Sequence, residues 1–200
     1  MRSAIAVAVL SLGVMPLQQP ARVASQLSKG MALVYVSDGR SQPPWLVDSL
    51  GAGDPLRPGT DCASVSLRRG ATDRRPEHSR LCLSSDTLYR WESARKSWSM
   101  FRPVGPDMSF TIVKANGDSV HYATGALGED MISGTAIQVV NTTMTTVDAL
   151  GRPRLRVRER YAVSLATATS GTFEAPDPAG GGRWVPKHTF ELKELRPASP

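Results

Sequence analysis

The chain has 200 residues, 40% hydrophobic and 21% charged, with a formal net charge of +6 at pH 7. The basicity is nearly all arginine, 19 Arg against 5 Lys. A GC-rich bacterial genome produces that bias without any partner. It therefore does not count as the footprint of nucleic acid, which needs basic residues clustered on one face.

Met1-Arg2-Ser3 is a short basic start, and Ala4 to Met15 is an apolar run broken by Pro16 and Pro20. Val23 and Ser25 supply small residues at the −3 and −1 positions of a cut. This is the layout of a secretory signal peptide over residues 1–25. The run is shorter than the roughly 20 residues that span a bilayer, and no later segment is longer and apolar. The expected mature chain, residues 26–200, is one domain of 175 residues with net charge +4. It is exported to a periplasm or the extracellular space, and residues 16–30 read as a tether left by the signal.

Export places Cys62 and Cys82 in an oxidising compartment, and two cysteines in such a chain predict one disulfide. It would staple the charged stretch from Ala63 to Leu81. The competing reading is a metal site of Cys62, His78 and Cys82, with Asp61 or Glu77 as fourth ligand. The spacing does not follow the usual zinc patterns, so no metal is expected.

From Met31 onward the chain is strand-like. Met31 to Val36 is an apolar run ended by Ser37-Asp38-Gly39, a short segment follows around Trp45-Leu46-Val47, and Gly51 to Thr60 reads as loop. Ser64 to Arg69 reads as a strand. Leu88 to Arg102 predicts a hairpin turning at Ser93–Lys96, with Trp91 facing Trp98 and Tyr89 facing Met100. Asn116-Gly117 predicts a second turn, between Met108–Lys114 and Ser119–Thr124. Ile132–Val147 and Arg154–Thr167 form two long arms around the turn 148–151, and His188–Leu195 closes the domain. No segment beyond the signal shows a helical stripe. The fold class expected is all-β, an antiparallel meander forming a barrel or a strongly curved sheet, with a two-sheet β-sandwich as the alternative.

Two faces invite functional readings. Arg154, Arg156, Arg158 and Arg160 share one face of a strand, because side chains alternate with period two. Set opposite Thr145, Thr143, Asn141 and Val139, they form a row that suits an anion, with Glu191 and Lys193 as neighbours. Tyr89, Trp91, Trp98 and Met100 form an aromatic face suited to an apolar ligand or to the core.

Enzyme motifs are absent: no GxSxG, HExxH, phosphate loop or GxGxxG. Glu129-Asp130 after Gly128 reads as a paired acid in a loop, and a catalytic reading would need a cleft joining Glu129, Asp130 and His121. His78 and His188 read as surface or strand residues, and no catalytic residue or cofactor is expected. Asn141-Thr142-Thr143 matches a glycosylation sequon, mid-strand and poorly placed for use. No family motif carries residues across. In architecture alone the chain is similar to exported β-barrel carriers such as lipocalins, without their first-strand motif. The function expected is an exported non-enzymatic domain that binds an apolar or amphiphilic, lipid-like molecule. The alternatives are a cell-envelope module using the arginine row against an acidic surface, and a hydrolase of unrecognised type.

Overall fold

The structure, a computed structural model, describes residues 22–56, 60–70 and 76–198. The reading of residues 1–21 as a signal lies outside the described residues, as does most of the charged loop after Gly70. Among the described residues the first half of the chain forms β1 (Ala32–Ser37), β2 (Arg40–Ser41), β3 (Trp45–Ala52), β4 (Asp61–Arg69), β5 (Glu77–Ser84), β6 (Thr87–Glu92) and β7 (Ser97–Pro103). The second half forms β8 (Ser109–Val113), β9 (Ser119–Ile132), β10 (Thr135–Val147), β11 (Pro153–Ala162), β12 (Thr167–Pro176) and β13 (Trp184–Arg196). A short 3-10 turn, Val163–Leu165, joins β11 to β12.

All pairings are antiparallel, in the order β7-β6-β5-β4-β3-β1-β13-β12-β11-β10-β9-β8, with β2 folded back on β1. The sheet is thus two meanders joined where β1 pairs β13. It curls until it is nearly closed into a barrel, with edge strand β7 reaching β9. Register shifts interrupt seven of the strand pairs, among them β6–β7 at Leu88/Tyr89 and β9–β10 at Val140/Thr142. Such bulges bend a strand and raise its twist, which is what a curling sheet requires. Leu33, Val47, Leu88, Ile137, Val139 and Leu165 point inward and are buried.

The turns follow local chemistry. Asp38-Gly39 and Ser133-Gly134 have positive φ at both central positions, the geometry that matches strand twist in a two-residue hairpin. The hairpin of β6 and β7 turns at 93–96, with Trp91 opposite Trp98 and Tyr89 opposite Met100.

Four expectations are corrected. Residues 22–30 are not a tether: Val23, Ala24 and Leu27 are buried in the barrel core. There the Ala24 and Gln26 N–H groups donate to the Val163 and Ser164 carbonyls at 3.0 Å, and the Val23 N–H donates to the Asp61 carboxylate at 2.6 Å. The segment closes the end of the barrel where β11 turns into β12. Second, Gly125–Met131 is strand, so Glu129 and Asp130 lie in β9 rather than in a loop. Third, the second long arm is broken at Ala162 by the 3-10 turn, and Thr167–Pro176 is a strand of its own. Fourth, the turn and the bulge at Thr146/Val147 each shift the arginine register by one, setting Arg156, Arg158 and Arg160 opposite Thr145, Thr143 and Asn141.

Cys62 and Cys82 form a disulfide between directly opposed residues of β4 and β5, with Cα atoms 4.1 Å apart. The bridge ties two paired strands rather than a loose loop, since most of 63–81 is β4 and β5. His78 lies four residues along β5 from Cys82, roughly 13 Å at strand rise, so the three residues do not converge.

Candidate functional site

The barrel interior holds a cavity of about 540 Å³, within the ~300–1,000 Å³ usual for small-molecule sites. Its walls combine apolar Leu33, Trp45, Leu67, Leu81, Phe101 and Phe190 with polar residues such as Gln42, Ser79 and His188. Set into them is a polar cluster from three strands: Arg90 on β6, Arg102 on β7, and Glu159 and Tyr161 on β11.

The bulge in β6–β7 builds the cluster. Strict alternation would turn Arg102 outward with Met100. The register shift leaves Phe101 as the extra residue and sets Arg102 opposite the buried Leu88, so Phe101 and Arg102 both reach the interior. Arg102 then ion-pairs with Glu159 across the barrel, each side chain 11% exposed. Its guanidinium lies 3.9 Å from the Tyr161 ring centroid and 4.7 Å from that of Phe101, and Arg90 lies 4.6 Å from the Phe101 ring. Guanidiniums over aromatic faces are held by the ring quadrupole as well as by area.

The cluster leaves hydrogen-bonding capacity unused. The Tyr161 hydroxyl and the Arg102 Nε are buried and have no hydrogen-bond partner among the described residues. Tyr161 is 3% exposed, and burial pushes its pKa up to about 12, with Arg102 opposing. Tyr35 is likewise pushed to about 12 by burial, but its hydroxyl is bonded to Thr167 Oγ1 and donates to the Ala168 carbonyl. A buried polar group without a partner costs about 1–3 kcal/mol, and the contrast with Tyr35 marks Tyr161 as unusual.

The sequence-predicted residues fall elsewhere. Trp91 and Trp98 stack edge-on at 5.6 Å, with Arg80 beyond Trp91. Tyr89, Trp91 and Trp98 are half-buried and Met100 is 41% exposed. This quartet lies on the face opposite the cavity, and the ring inside is its neighbour Phe101.

The four arginines do share a face, but each has a carboxylate from outside its own strand. Arg154 pairs with Asp148 at 2.7 Å, Arg156 and Arg158 share Glu174 on β12, and Arg160 reaches Asp130 on β9 at 2.8 Å. Glu191 pairs with Lys193 instead. An open depression of about 900 Å³ runs along this face past Arg158, Arg160, Thr172 and Lys193.

His121 is held by Thr111 and Ser119. It pairs with Thr145 at one end of β10, while Glu129 and Asp130 pair with Gln138 and Ile137 towards the other, so no cleft joins them. His188, at the cavity rim, has Asp38 Oδ2 at 2.6 Å from Nδ1 and Ser37 Oγ at 3.0 Å from Nε2. That set has the composition of a hydrolytic triad, and sequence reasoning missed it because Ser37-Asp38 reads as a turn. The geometry is not that of a triad. The Ser37 oxygen is also only 3.5 Å from Nδ1, so it sits over the flank of the ring rather than along the Nε2 lone pair, and it donates to the Thr189 carbonyl. Asp38 is held below the usual carboxylate range, first by the Thr189 N–H and then by His188, as expected of a structural anchor between β1 and β13.

No family model, curated protein or solved structure matches the chain. Among the described residues no helix is long and apolar enough to cross a membrane, and no three His, Cys, Asp or Glu side chains gather as metal ligands.

Proposed function

We propose that the protein is an exported, non-enzymatic binding protein that holds an apolar or amphiphilic small molecule inside its barrel. One observation carries this reading: a cavity of small-molecule size lies inside the barrel, with Leu33, Leu67, Leu81, Phe101 and Phe190 on its wall and Arg90 at its rim. An apolar body against Leu67, Leu81 and Phe190 would gain burial at about 25 cal/mol per Å². The disulfide and the basic, apolar N-terminus support export.

The arginine-face alternative is weaker, because the carboxylates of Asp130, Asp148 and Glu174 already occupy the row. Native mass spectrometry of protein exported through a bacterial periplasm, purified without detergent, tests the reading. A retained small-molecule mass is expected in the wild type and lost in Leu81→Trp, which fills the cavity. Failure of the wild type to retain any ligand, or to bind the neutral fluorophore N-phenylnaphthylamine, would count against it.

A further inference from the structure

We infer that the occupant is a single-chain amphiphile with an anionic head, carboxylate or phosphate, and that Arg90 receives the head. This rests on the reading that the cavity holds a small molecule. The walls carry three guanidiniums, Arg69, Arg90 and Arg102, against two carboxylates, Glu77 and Glu159. Glu159 is taken by Arg102, and Arg69 donates to Gln42 Oε1 at 3.3 Å. Arg90 has no carboxylate within ion-pair distance among the described residues. Its guanidinium lies 4.6 Å from the Phe101 ring centroid, a contact that positions the charge without neutralising it.

The unused polar atoms point the same way. The Arg90 guanidinium is exposed and able to donate through several N–H groups, while the cluster's one carboxylate is already engaged by Arg102. A surplus of donors calls for a ligand rich in acceptors, and an ionised carboxylate or phosphate is acceptor-only. The Phe101 ring holds both guanidiniums within 5 Å of its centroid, Arg90 at 4.6 Å and Arg102 at 4.7 Å. Arg90 is solvent-exposed at the rim, where a charged head keeps part of its hydration while the chain enters the apolar interior. Arginine's planar fork suits two-oxygen heads in particular.

The test compares lauric acid, lauryl alcohol and lauroyl lysophosphatidic acid as competitors that displace N-phenylnaphthylamine from the wild type and from Arg90→Ala. The anions can form charge-assisted hydrogen bonds to Arg90 that the alcohol cannot, so at least one anionic competitor is expected to act at about tenfold lower concentration than the alcohol. The Arg90→Ala variant should bring the two within about threefold while still binding the neutral probe. The better of the two anions identifies the head. An acid-to-alcohol ratio near one in the wild type, or a ratio unchanged by Arg90→Ala, would overturn the inference and leave the cavity reading standing. No probe binding to the wild type would overturn both.

Discussion

Asp148 shows how much one side chain organises in this fold. One carboxylate oxygen accepts the Leu150 and Arg152 N–H groups at 3.0 and 2.9 Å. The other accepts Arg152 Nε at 2.9 Å and pairs with Arg154 at 2.7 Å. Together with Gly151 at φ +76°, these contacts fix the turn between β10 and β11. The same contacts, led by the Arg152 N–H, lower the Asp148 pKa from 3.8 to about 2. A folded-state pKa below the unfolded one favours the folded state above the unfolded value, and that stability is lost as pH falls through the folded value. Asp148→Asn should therefore lower the melting temperature at pH 7. The gap to wild type should close as pH falls from about 4 to about 2. Thermal melts across that range check it, and a gap that persists at pH 2 would mean that the charge is not what holds the turn.

The elements were legible where side-chain alternation and turn chemistry agreed. The hairpin of β6 and β7, the turn after β10 and the inward face of β13 all follow from such patterns. β12 was not legible, because its inward position at Gly171 carries no side chain. A Cβ there would come within 2.6 Å of the Phe190 ring, so the apolar cover for β12 is supplied by its neighbour β13, as in aromatic rescue of a strand glycine. The partners of the arginine row are hidden for a related reason. Asp130 and Glu174 are distant in sequence and become neighbours only through strand order. The cavity cluster was hidden by a bulge, which breaks the period-two rule at Phe101.

Burial of Val23 and Ala24 bears on processing at the same scale. A cut after Ser25 would remove one buried valine, worth about 1.5–3 kcal/mol, together with the Val23–Asp61 and Ala24–Val163 hydrogen bonds. A processed chain is therefore expected to begin at Arg22 or earlier, and a chain beginning at Gln26 should be less stable by at least about 2 kcal/mol. N-terminal sequencing and urea unfolding of the two chains decide this; a native start at Gln26 would refute it. Across β4 and β5, replacing both cysteines by serine should cost about 3 kcal/mol in the chain-entropy treatment. Equilibrium unfolding of the Cys62→Ser/Cys82→Ser protein measures it.

At the scale of the whole molecule, the barrel is a sheet whose two edges, β7 and β8, are not hydrogen-bonded to each other. Arg102 on β7 and Glu159 on β11 tie across that gap through the interior, and the packing of Arg102 on Tyr161 reinforces the tie. The pair is mostly shielded from water, so its two charges depend on each other. Removing one partner of a buried ion pair leaves an uncompensated charge and costs about 3–5 kcal/mol, whereas replacing both with apolar residues is often neutral or stabilising. Arg102→Leu should therefore destabilise the protein by roughly that amount, and Arg102→Leu/Glu159→Leu should recover most of it. If the pair also holds the edges together, the single variant should speed hydrogen exchange first in β7 and β8, ahead of β1 and β13 at the centre of the strand order. Exchange read strand by strand tests this. Uniform acceleration across the sheet would show that the pair contributes to global stability without governing closure. Faster exchange confined to the two edge strands would show that a single interior ion pair sets how far the barrel opens, and with it access to the cavity that the same two residues line.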